Sequence, residues 1–190
     1  MSFAVLKNLI FSFFQKSDLG KWGNLKNHSM KWTGRSELMS KFINDGDSVF
    51  EFGAGRCHLK AMLPEGCSYI SSDIVKREHD SFVCDINHRP LPEFPKMDVA
   101  FFSGVLEYIH DIDTFLPAIE QAFNKVIASY VAIDTSKGKL ARTGHGWFNH
   151  LSRKQFIDIF EKNGFTLVEE TRWERHGIYV FVSRANLSEL

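Results

Sequence analysis

The chain has 190 residues, of which 44% are hydrophobic and 24% charged, and these values are ordinary for a soluble globular protein. Its length fits one domain with an adequate core, and a formal net charge of zero argues against a nucleic-acid binder. The charge is uneven, because residues 1–35 hold six Lys or Arg and one Asp, whereas the other 155 residues hold 17 basic and 22 acidic side chains. The beginning of the chain is therefore basic and the remainder acidic.

The basic segment starts with an apolar stretch, residues 3–14, which contains Lys7 and Asn8. It falls short of the roughly 18 apolar residues that a membrane-spanning helix needs, and no small-residue cleavage site follows it. It predicts an amphipathic helix that packs on the domain or a second subunit, or one that makes peripheral contact with a membrane. We expect a cytoplasmic protein, located at the inner membrane surface if the second alternative holds. The oligomeric state is left open.

Residues 15–34 are polar and rich in Lys, Gly, Asn and Trp, which predicts a loop or short helices able to close over a pocket. Apolar residues at helical spacing then predict a helix over residues 35–43. Arg35, at its start, could meet a ligand carboxylate. We therefore predict an N-terminal helical or lid segment over residues 1–44, followed by a ligand-binding domain over residues 45–190.

Residues 48–55, Ser-Val-Phe-Glu-Phe-Gly-Ala-Gly, predict a buried strand that ends in a glycine turn. Glycine lets a backbone approach a ligand closely, and a helix predicted over Arg56–Leu63 would add free N–H groups. Asp73 ends a second apolar run 20 residues after Gly53, where a carboxylate can accept both hydroxyls of a ribose. His58 stands where a dinucleotide site wants Gly or Ala, and Glu51 suits an ammonium group better than a phosphate. The pattern indicates a nucleoside ligand that carries a positive charge.

The rest of the chain alternates between predicted strands and helices. We predict a doubly wound α/β sheet from this alternation, with two final strands that have no helix between them. A long polar and aromatic loop, residues 135–150, follows the fifth strand. In order, the predicted elements are a strand at 81–84, a strand at 99–102, a helix at 113–124, a strand at 126–133, a helix that starts at a capping box of Ser152 with Gln155, and strands at 166–170 and 178–182.

The three cysteines, Cys57, Cys67 and Cys84, show neither the paired spacing of metal ligands nor a disulfide framework. Cys57 follows the glycine turn but has no evident base beside it in sequence. We expect reduced thiols with structural roles, and no metal site.

Residues 49–55, Val-Phe-Glu-Phe-Gly-Ala-Gly, resemble motif I of the class I S-adenosylmethionine-dependent methyltransferases. Cys84-Asp85-Ile86 resembles the adenine-binding segment of that family, and residues 97–109 resemble its fourth strand and the segment after it. The resemblance covers roughly residues 45–185. It implies a mostly parallel, Rossmann-like, seven-stranded sheet of order 3-2-1-4-5-7-6 with an antiparallel last strand, and S-adenosylmethionine as the cofactor. The cofactor-binding residues that it implies are Glu51, Gly53, Gly55, Asp73, Ile74, Asp85, Ile86 and Ser103.

Methyl transfer to a hydroxyl benefits from a general base. Our candidates are Asp134 at the end of the fifth strand and His145 and His150 in the loop after it, with His110 next. We expect the acceptor to be a hydroxyl of a small molecule or glycan, possibly lipid-linked, because no large added domain is present to hold a macromolecule.

Three other functions are alternatives. A protein or small-amine methyltransferase is disfavoured because Ser103-Gly104-Val105-Leu106 stands where an Asn-Pro-Pro-Tyr type of motif would bind the amine. A non-catalytic, cofactor-binding regulatory module would keep the cofactor residues without turnover. An NAD-type oxidoreductase is disfavoured by His58 and by the lack of a second nucleotide-binding half.

Overall fold

A seven-stranded mixed sheet forms the centre of the computed structural model, which describes residues 3–135 and 138–189. The strand order is β3-β2-β1-β4-β5-β7-β6; the first five strands run parallel, and β7 runs antiparallel to both of its neighbours. The predicted fold class, order and antiparallel strand are confirmed. The strands are β1 (Ser48–Phe52), β2 (Ser68–Asp73), β3 (Phe82–Val83), β4 (Met97–Phe102), β5 (Phe123–Tyr130), β6 (Phe165–Trp173) and β7 (His176–Ser183).

Helices cover both faces of the sheet, and the start of the chain is also helical. The α-helices are α1 (Phe3–Phe13), α2 (Leu19–Trp22), α3 (Thr33–Ser40), α4 (Ile112–Ala122), α5 (Lys139–His145) and α6 (Arg153–Lys162). Short 3₁₀ helices lie at Leu25–Asn27, Met30–Trp32, His58–Met62, Leu106–Tyr108, Ile133–Thr135 and Arg184–Glu189. Within the described ranges, the longest α-helices, α1 and α4, have 11 residues, and none is long and apolar enough to cross a membrane.

Two apolar cores lie on opposite faces of the sheet, as expected for parallel strands that are buried on both sides. The core under α4 and α6 is dominated by phenylalanine, and the Phe52 and Phe102 rings stack there with centroids 4.5 Å apart. The other core packs Met39 and Ile43, at and after α3, against Val99 and Phe101 of β4. Each fully buried side chain of this size contributes about 1.5–3 kcal/mol to folding. The two cores fix the sheet and hence the positions of its strand ends.

The register of the central strands aligns their carboxyl ends. Phe52, at the end of β1, pairs with Ser72 on β2 and with Phe102 on β4. The residues that follow these pairs, Gly53 and Asp73 among them, therefore meet at one edge of the sheet. In open α/β sheets this edge is where ligands bind.

Three local predictions differ from the structure. The predicted helix over Arg56–Leu63 is only a 3₁₀ helix at His58–Met62, because Cys57 has a φ of 54° and its left-handed backbone interrupts a helix before it can begin. The fifth strand starts at Phe123, where the helix before it ends, rather than at 126. The loop predicted over residues 135–150 contains helix α5; residues 136–137 of that prediction lie outside the described ranges.

Helix α1 packs on α5 through its buried Val5 and Asn8, and the Asn8 amide donates to the Thr143 carbonyl at 2.8 Å. Its opposite side exposes large apolar side chains, and Phe13 is 82% exposed. These exposed residues, with Phe14 just after the helix, are Leu6, Leu9, Ile10, Phe13 and Phe14. The helix is thus attached to the domain by one face and has a second apolar face directed to solvent.

Candidate active site

A cavity of about 360 Å³ opens at the carboxyl edge of the sheet. Its volume lies within the roughly 300–1,000 Å³ of small-molecule sites. All eight predicted cofactor residues line the cavity, together with side chains from α2, α3 and the β6–β7 turn. The lining residues used below are Ser17, Lys21, Trp22, His28, Arg35, Ser36, Glu51, Gly53, Gly55, Arg56, Asp73, Ile74, Asp85, Ile86, Ser103, Gly104, Glu107, Tyr108, His145, Trp147, Arg175 and His176.

Glu51 is a buried carboxyl group at the end of β1. Burial raises the pKa of Glu51 to about 8, the Tyr69 hydroxyl that donates to its Oε2 opposes this shift, and the nearby Asp73 charge adds to it. A carboxyl group with this pKa is largely protonated at neutral pH. A cation bound beside it would favour the ionised form, and the carboxylate would then pair with that cation. Gly53 and Gly55 follow with φ of 63° and 55°, which other residues rarely adopt.

Asp73, at the end of β2, already has partners on both carboxylate oxygens. Oδ2 accepts from the Gly55 backbone N–H at 2.8 Å and from Arg77 Nε at 2.9 Å. Oδ1 accepts from the Ile74 N–H at 2.7 Å and from Arg77 at 3.2 Å. The backbone bonds orient the carboxylate toward the glycine turn, and Arg77 occupies the remaining acceptor positions.

Asp85 and Ile86 lie on the cavity wall after β3. Asp85 Oδ1 accepts from the Ser17 hydroxyl at 2.6 Å and from the Asn87 N–H at 3.0 Å. Its Oδ2 accepts no hydrogen bond from the residues that the structure describes, so it is available to an N–H donor. Ile74 and Ile86 are partly buried and provide apolar surface beside it.

Residues 17–32, here called the cover segment, lie over the glycine turn. A side chain at Gly55 would place its Cβ 2.6 Å from His28 Nδ1, which shows how closely the segment approaches. Arg77 donates to the Trp22 and Gly23 carbonyls at 2.5 and 3.0 Å, so the guanidinium that binds Asp73 also binds the cover segment. The Trp22 ring meets the Tyr108 ring at 4.7 Å between centroids. The cover segment is thus joined to the cavity by polar and aromatic contacts.

The cavity continues past the end of β4, where Arg35 is buried with its guanidinium bound to neutral acceptors. It donates to the Ser103 hydroxyl and to the Ser103 carbonyl, each at 3.0 Å. It also lies 3.0 Å from His176 Nε2, whose pKa is lowered to about 3 by burial and by the charges of Arg35 and Arg175. His176 is therefore neutral, and Nε2 accepts the hydrogen bond from Arg35.

Glu107 is the acidic side chain on this side of the cavity, and it is 1% exposed. Its Oε1 accepts from the Val131 N–H at 2.9 Å, whereas its buried Oε2 has no hydrogen-bond partner among the described residues. Burial raises its pKa, and the Arg35 and Arg142 charges oppose that rise. This leaves an unpaired acceptor atom in the wall of the cavity.

Of the four base candidates, His145 lines the cavity and the other three lie outside it. His145 ends α5 with its ring 5.3 Å from that of Trp147. Asp134 is exposed and accepts from the Arg153 N–H at 2.8 Å, at the start of α6. His150 Nδ1 accepts from Arg142 Nε at 3.2 Å, and His110 stacks on Phe148. The structure therefore brings only His145 together with the predicted cofactor residues.

Sequence reasoning missed five residues of this site: Lys21, Arg77, Glu107, Arg175 and His176. Glu107 has a local signal, because it is a carboxyl group inside the apolar run that follows β4. Arg175 and His176 have none, because only the pairing of β6 with β7 carries their turn to the cavity.

The sheet order, the glycine turn after β1 and the cavity beside it define this protein as a class I S-adenosylmethionine-dependent methyltransferase. The chain belongs to the methyltransferase domain family, whose model matches residues 27–170. No protein of curated function matches the sequence at a significant level.

Several solved structures share the fold at low identity. The Burkholderia thailandensis 1,6-didemethyltoxoflavin-N1-methyltransferase, with 1,6-didemethyltoxoflavin and S-adenosylhomocysteine bound, gives a TM-score of 0.64 at 16% identity over 95% of this chain and 88% of that chain. Human N-acetylserotonin methyltransferase in complex with S-adenosylmethionine gives 0.64 at 13% identity over 91% and 58%. CalO1, a methyltransferase in calicheamicin biosynthesis in its S-adenosylhomocysteine-bound form, gives 0.61 at 12% identity over 94% and 66%.

Proposed function

We propose that this methyltransferase acts on a hydroxyl group of a small molecule or glycan, with His145 as the general base. One observation carries the proposal: a single cavity has the carboxyl groups of Glu51, Asp73 and Asp85 at one end and an imidazole at the other. The first end fits a cationic nucleoside donor, and the second can accept a proton from the group that is methylated.

The residues of the first end fit S-adenosylmethionine. Glu51 would bind its ammonium group, Asp73 its ribose hydroxyls and Asp85 its adenine amino group, with Ile74 and Ile86 against the base. Gly53 and Gly55 leave room for the ligand beside the backbone, and Ser103 holds Arg35 for the ligand's carboxylate. When bound, S-adenosylmethionine supplies an activated methyl group, so the protein's main task is alignment, which can contribute roughly 7–11 kcal/mol.

His145 has the protonation state that a base needs. Burial lowers its pKa, and the positive charges of Arg175 and Lys21 lower it further, so the ring is neutral at physiological pH. A neutral imidazole nitrogen can take the hydroxyl proton as the new bond to carbon forms. General-base assistance of this kind is worth about 10²- to 10⁴-fold in rate.

The structural relatives support a small-molecule acceptor, since their names specify 1,6-didemethyltoxoflavin and N-acetylserotonin. The first of them is an N1-methyltransferase, which favours a nitrogen atom as the second candidate acceptor. The two candidates are separated by identifying the methylated atom in the product.

We further propose that residues 1–44 act as an N-terminal lid for the domain over 45–190. Two contacts support this role: Arg77 donates to the Trp22 and Gly23 carbonyls of the cover segment, and His28 lies against Gly55 of the glycine turn. The exposed apolar face of α1, next to a basic surplus, supports peripheral contact with a membrane surface, where a lipid-linked acceptor would be within reach.

Calorimetric titration with S-adenosylmethionine tests the first half of the proposal. Asp73→Ala should weaken binding by removing a ribose contact, whereas Asp80→Ala, at an exposed position outside the cavity, should not. Absence of binding to folded wild-type protein would contradict the assignment of the cavity.

Methyl transfer from radiolabelled cofactor into fractionated small molecules of a cell extract tests the second half. His145→Gln should lower kcat by about 10²- to 10⁴-fold with cofactor affinity unchanged. His150→Gln is the matched control, because His150 lies outside the cavity. Equal losses in the two variants would remove His145 from the reaction.

A further inference from the structure

Most of the charged groups that line the cavity are divided between its two ends; the exception is Arg56, which follows Gly55 and donates to the Leu25 and His28 carbonyls. The carboxyl groups of Glu51, Asp73 and Asp85 follow β1, β2 and β3. Of the basic groups, Arg35 lies at the end of β4, Arg175 lies in the β6–β7 turn, and Lys21 of α2 donates to the His145 carbonyl. This second set, here called the basic end, surrounds the position assigned above to the acceptor.

None of the three basic groups has an acidic partner within ion-pair distance among the described residues. Arg35 is bound to Ser103 and lies against His176, both neutral. Lys21 Nζ donates to the His145 carbonyl at 2.9 Å, which leaves two of its N–H groups without a bond in the described structure. The Arg175 guanidinium lies 5.6 Å from the Trp147 ring centroid, is exposed to solvent, and makes no hydrogen bond or ion pair with the residues that the structure describes. None of the three positive charges is therefore paired with a carboxylate in the described structure; Lys21 Nζ also lies over the Trp22 ring, 4.4 Å from its centroid.

Glu107 forms no ion pair with these three groups among the described residues. Its Oε1 accepts from the Val131 N–H; burial raises its pKa, and the charge of Arg35 opposes that rise. Asp18 lies near Lys21 but is ion-paired with Lys7 at 2.8 Å.

The cofactor accounts for one of the three cations. S-adenosylmethionine carries a single carboxylate, which is assigned above to Arg35; this side chain lies against Gly104 at the end of β4, the strand that pairs with β1. Lys21 and Arg175 are left, and both adjoin the residues 145–147 that carry His145 and Trp147.

We propose that the acceptor is an anion, with a carboxylate or phosphate group bound by Arg175 and Lys21. This inference rests on the proposed function, because it names the class of substrate for that site. The aromatic rings of Trp147 and Tyr108 bind the body of the acceptor, and the anionic group fixes which end of the molecule faces His145. Arg175 is thus a residue that determines specificity, and Lys21 brings the cover segment into contact with the acceptor.

Ligand-observed NMR on protein saturated with S-adenosylhomocysteine tests the inference with two pairs of probes, at constant ionic strength. The pairs are 4-hydroxybenzoate with 4-hydroxybenzamide, and glucose 6-phosphate with glucose, so that carboxylate and phosphate are each compared with a neutral analogue. We expect at least one anion to bind about five- to tenfold more tightly than its neutral partner, which is the range of a partly exposed charge-assisted contact.

Arg175→Gln should abolish that preference and leave S-adenosylhomocysteine affinity unchanged. Arg172→Gln is the matched control, since Arg172 is exposed on the same hairpin and does not line the cavity. Equal affinity within both probe pairs, or a preference that survives in Arg175→Gln, overturns the inference. If S-adenosylhomocysteine does not bind, the proposed function fails instead, and the same titrations on the protein alone still decide whether the basic end selects anions.

Discussion

Glu51→Gln should weaken cofactor binding, because the ionised carboxylate of Glu51 pairs with the ammonium group of the cofactor. It should also stabilise the ligand-free protein, because burying that charge without a partner cation is unfavourable. The pKa of Glu51 is about 8 in the folded protein, so about one molecule in a hundred has this group ionised at pH 6 and half at pH 8. An ammonium group prefers the ionised form. Cofactor affinity should therefore depend on pH through this residue.

The size of the effect follows from the two ionisations. Binding needs ionised Glu51 and a protonated α-amino group on the cofactor, whose ordinary pKa is about 7.7–8.0. The product of the two populations rises about twentyfold from pH 6 to pH 8 and falls again above that, which gives a bell-shaped profile. Glu51→Gln should lose the acid limb of this profile and bind about tenfold more weakly at pH 8, the loss of about one charge-assisted contact.

Stability should change in the opposite sense. The folded-state pKa lies above the usual value of 4.5, so between these two values the folded protein holds a proton that the unfolded chain releases, and stability falls as pH rises. From pH 6 to pH 8 this lowers the free energy of unfolding by about 2 kcal/mol. The variant lacks the ionisable group, so its stability relative to wild type should improve by that amount over the same interval.

Calorimetric titration with S-adenosylmethionine from pH 6 to pH 9, together with urea unfolding at pH 6 and pH 8, measures both quantities. Glu65→Gln is the control, because Glu65 lies exposed in a turn outside the cavity. Wild-type affinity that stays flat between pH 6 and pH 8 would refute the assignment of Glu51 to the ammonium group.

Three further outcomes are expected. Arg77→Gln should raise the association rate of S-adenosylhomocysteine severalfold, measured by stopped-flow tryptophan fluorescence, because Arg77 binds both the cover segment and the Asp73 carboxylate. Lys76→Gln, at the exposed neighbouring position, should leave that rate unchanged. Phe52→Ala should lower the free energy of unfolding in urea by about 3–5 kcal/mol, and Phe13→Ala by less than about 0.5 kcal/mol, since one ring is buried and the other exposed. Phe13→Ser with Phe14→Ser should reduce sedimentation with anionic vesicles if α1 contacts membranes, and unchanged sedimentation would count against that contact.

The fold could be predicted from sequence because its signals are local. Uninterrupted apolar runs such as residues 99–102 indicate strands buried on both faces, and Gly53 and Gly55 mark the turn that the ligand end needs. The helix after that turn could not be predicted, because the left-handed backbone at Cys57 depends on how the turn packs. Its five-residue 3₁₀ helix has no distinguishing sequence pattern.

The acceptor end was less predictable than the cofactor end, for a topological reason. Cofactor residues follow strand ends, so their place in the chain gives their place in space. His145 and His150 are five residues apart in one loop, yet only the packing of α5 decides that the first faces the cavity. Arg175 comes from a hairpin that is distant in sequence from every motif.

The ion pair between Asp73 and Arg77 has a consequence for ligand choice. A ribose that binds Asp73 must replace Arg77 at a carboxylate oxygen, so the ribose contact adds less affinity than it would at a carboxylate without an internal partner. Adenosine can reach Asp73 and Asp85 but offers nothing to Glu51, whereas S-adenosylmethionine brings an ammonium group as well. The internal pair should therefore act as a filter against abundant cellular nucleosides, and it would make the methionine portion of the donor the main source of discrimination.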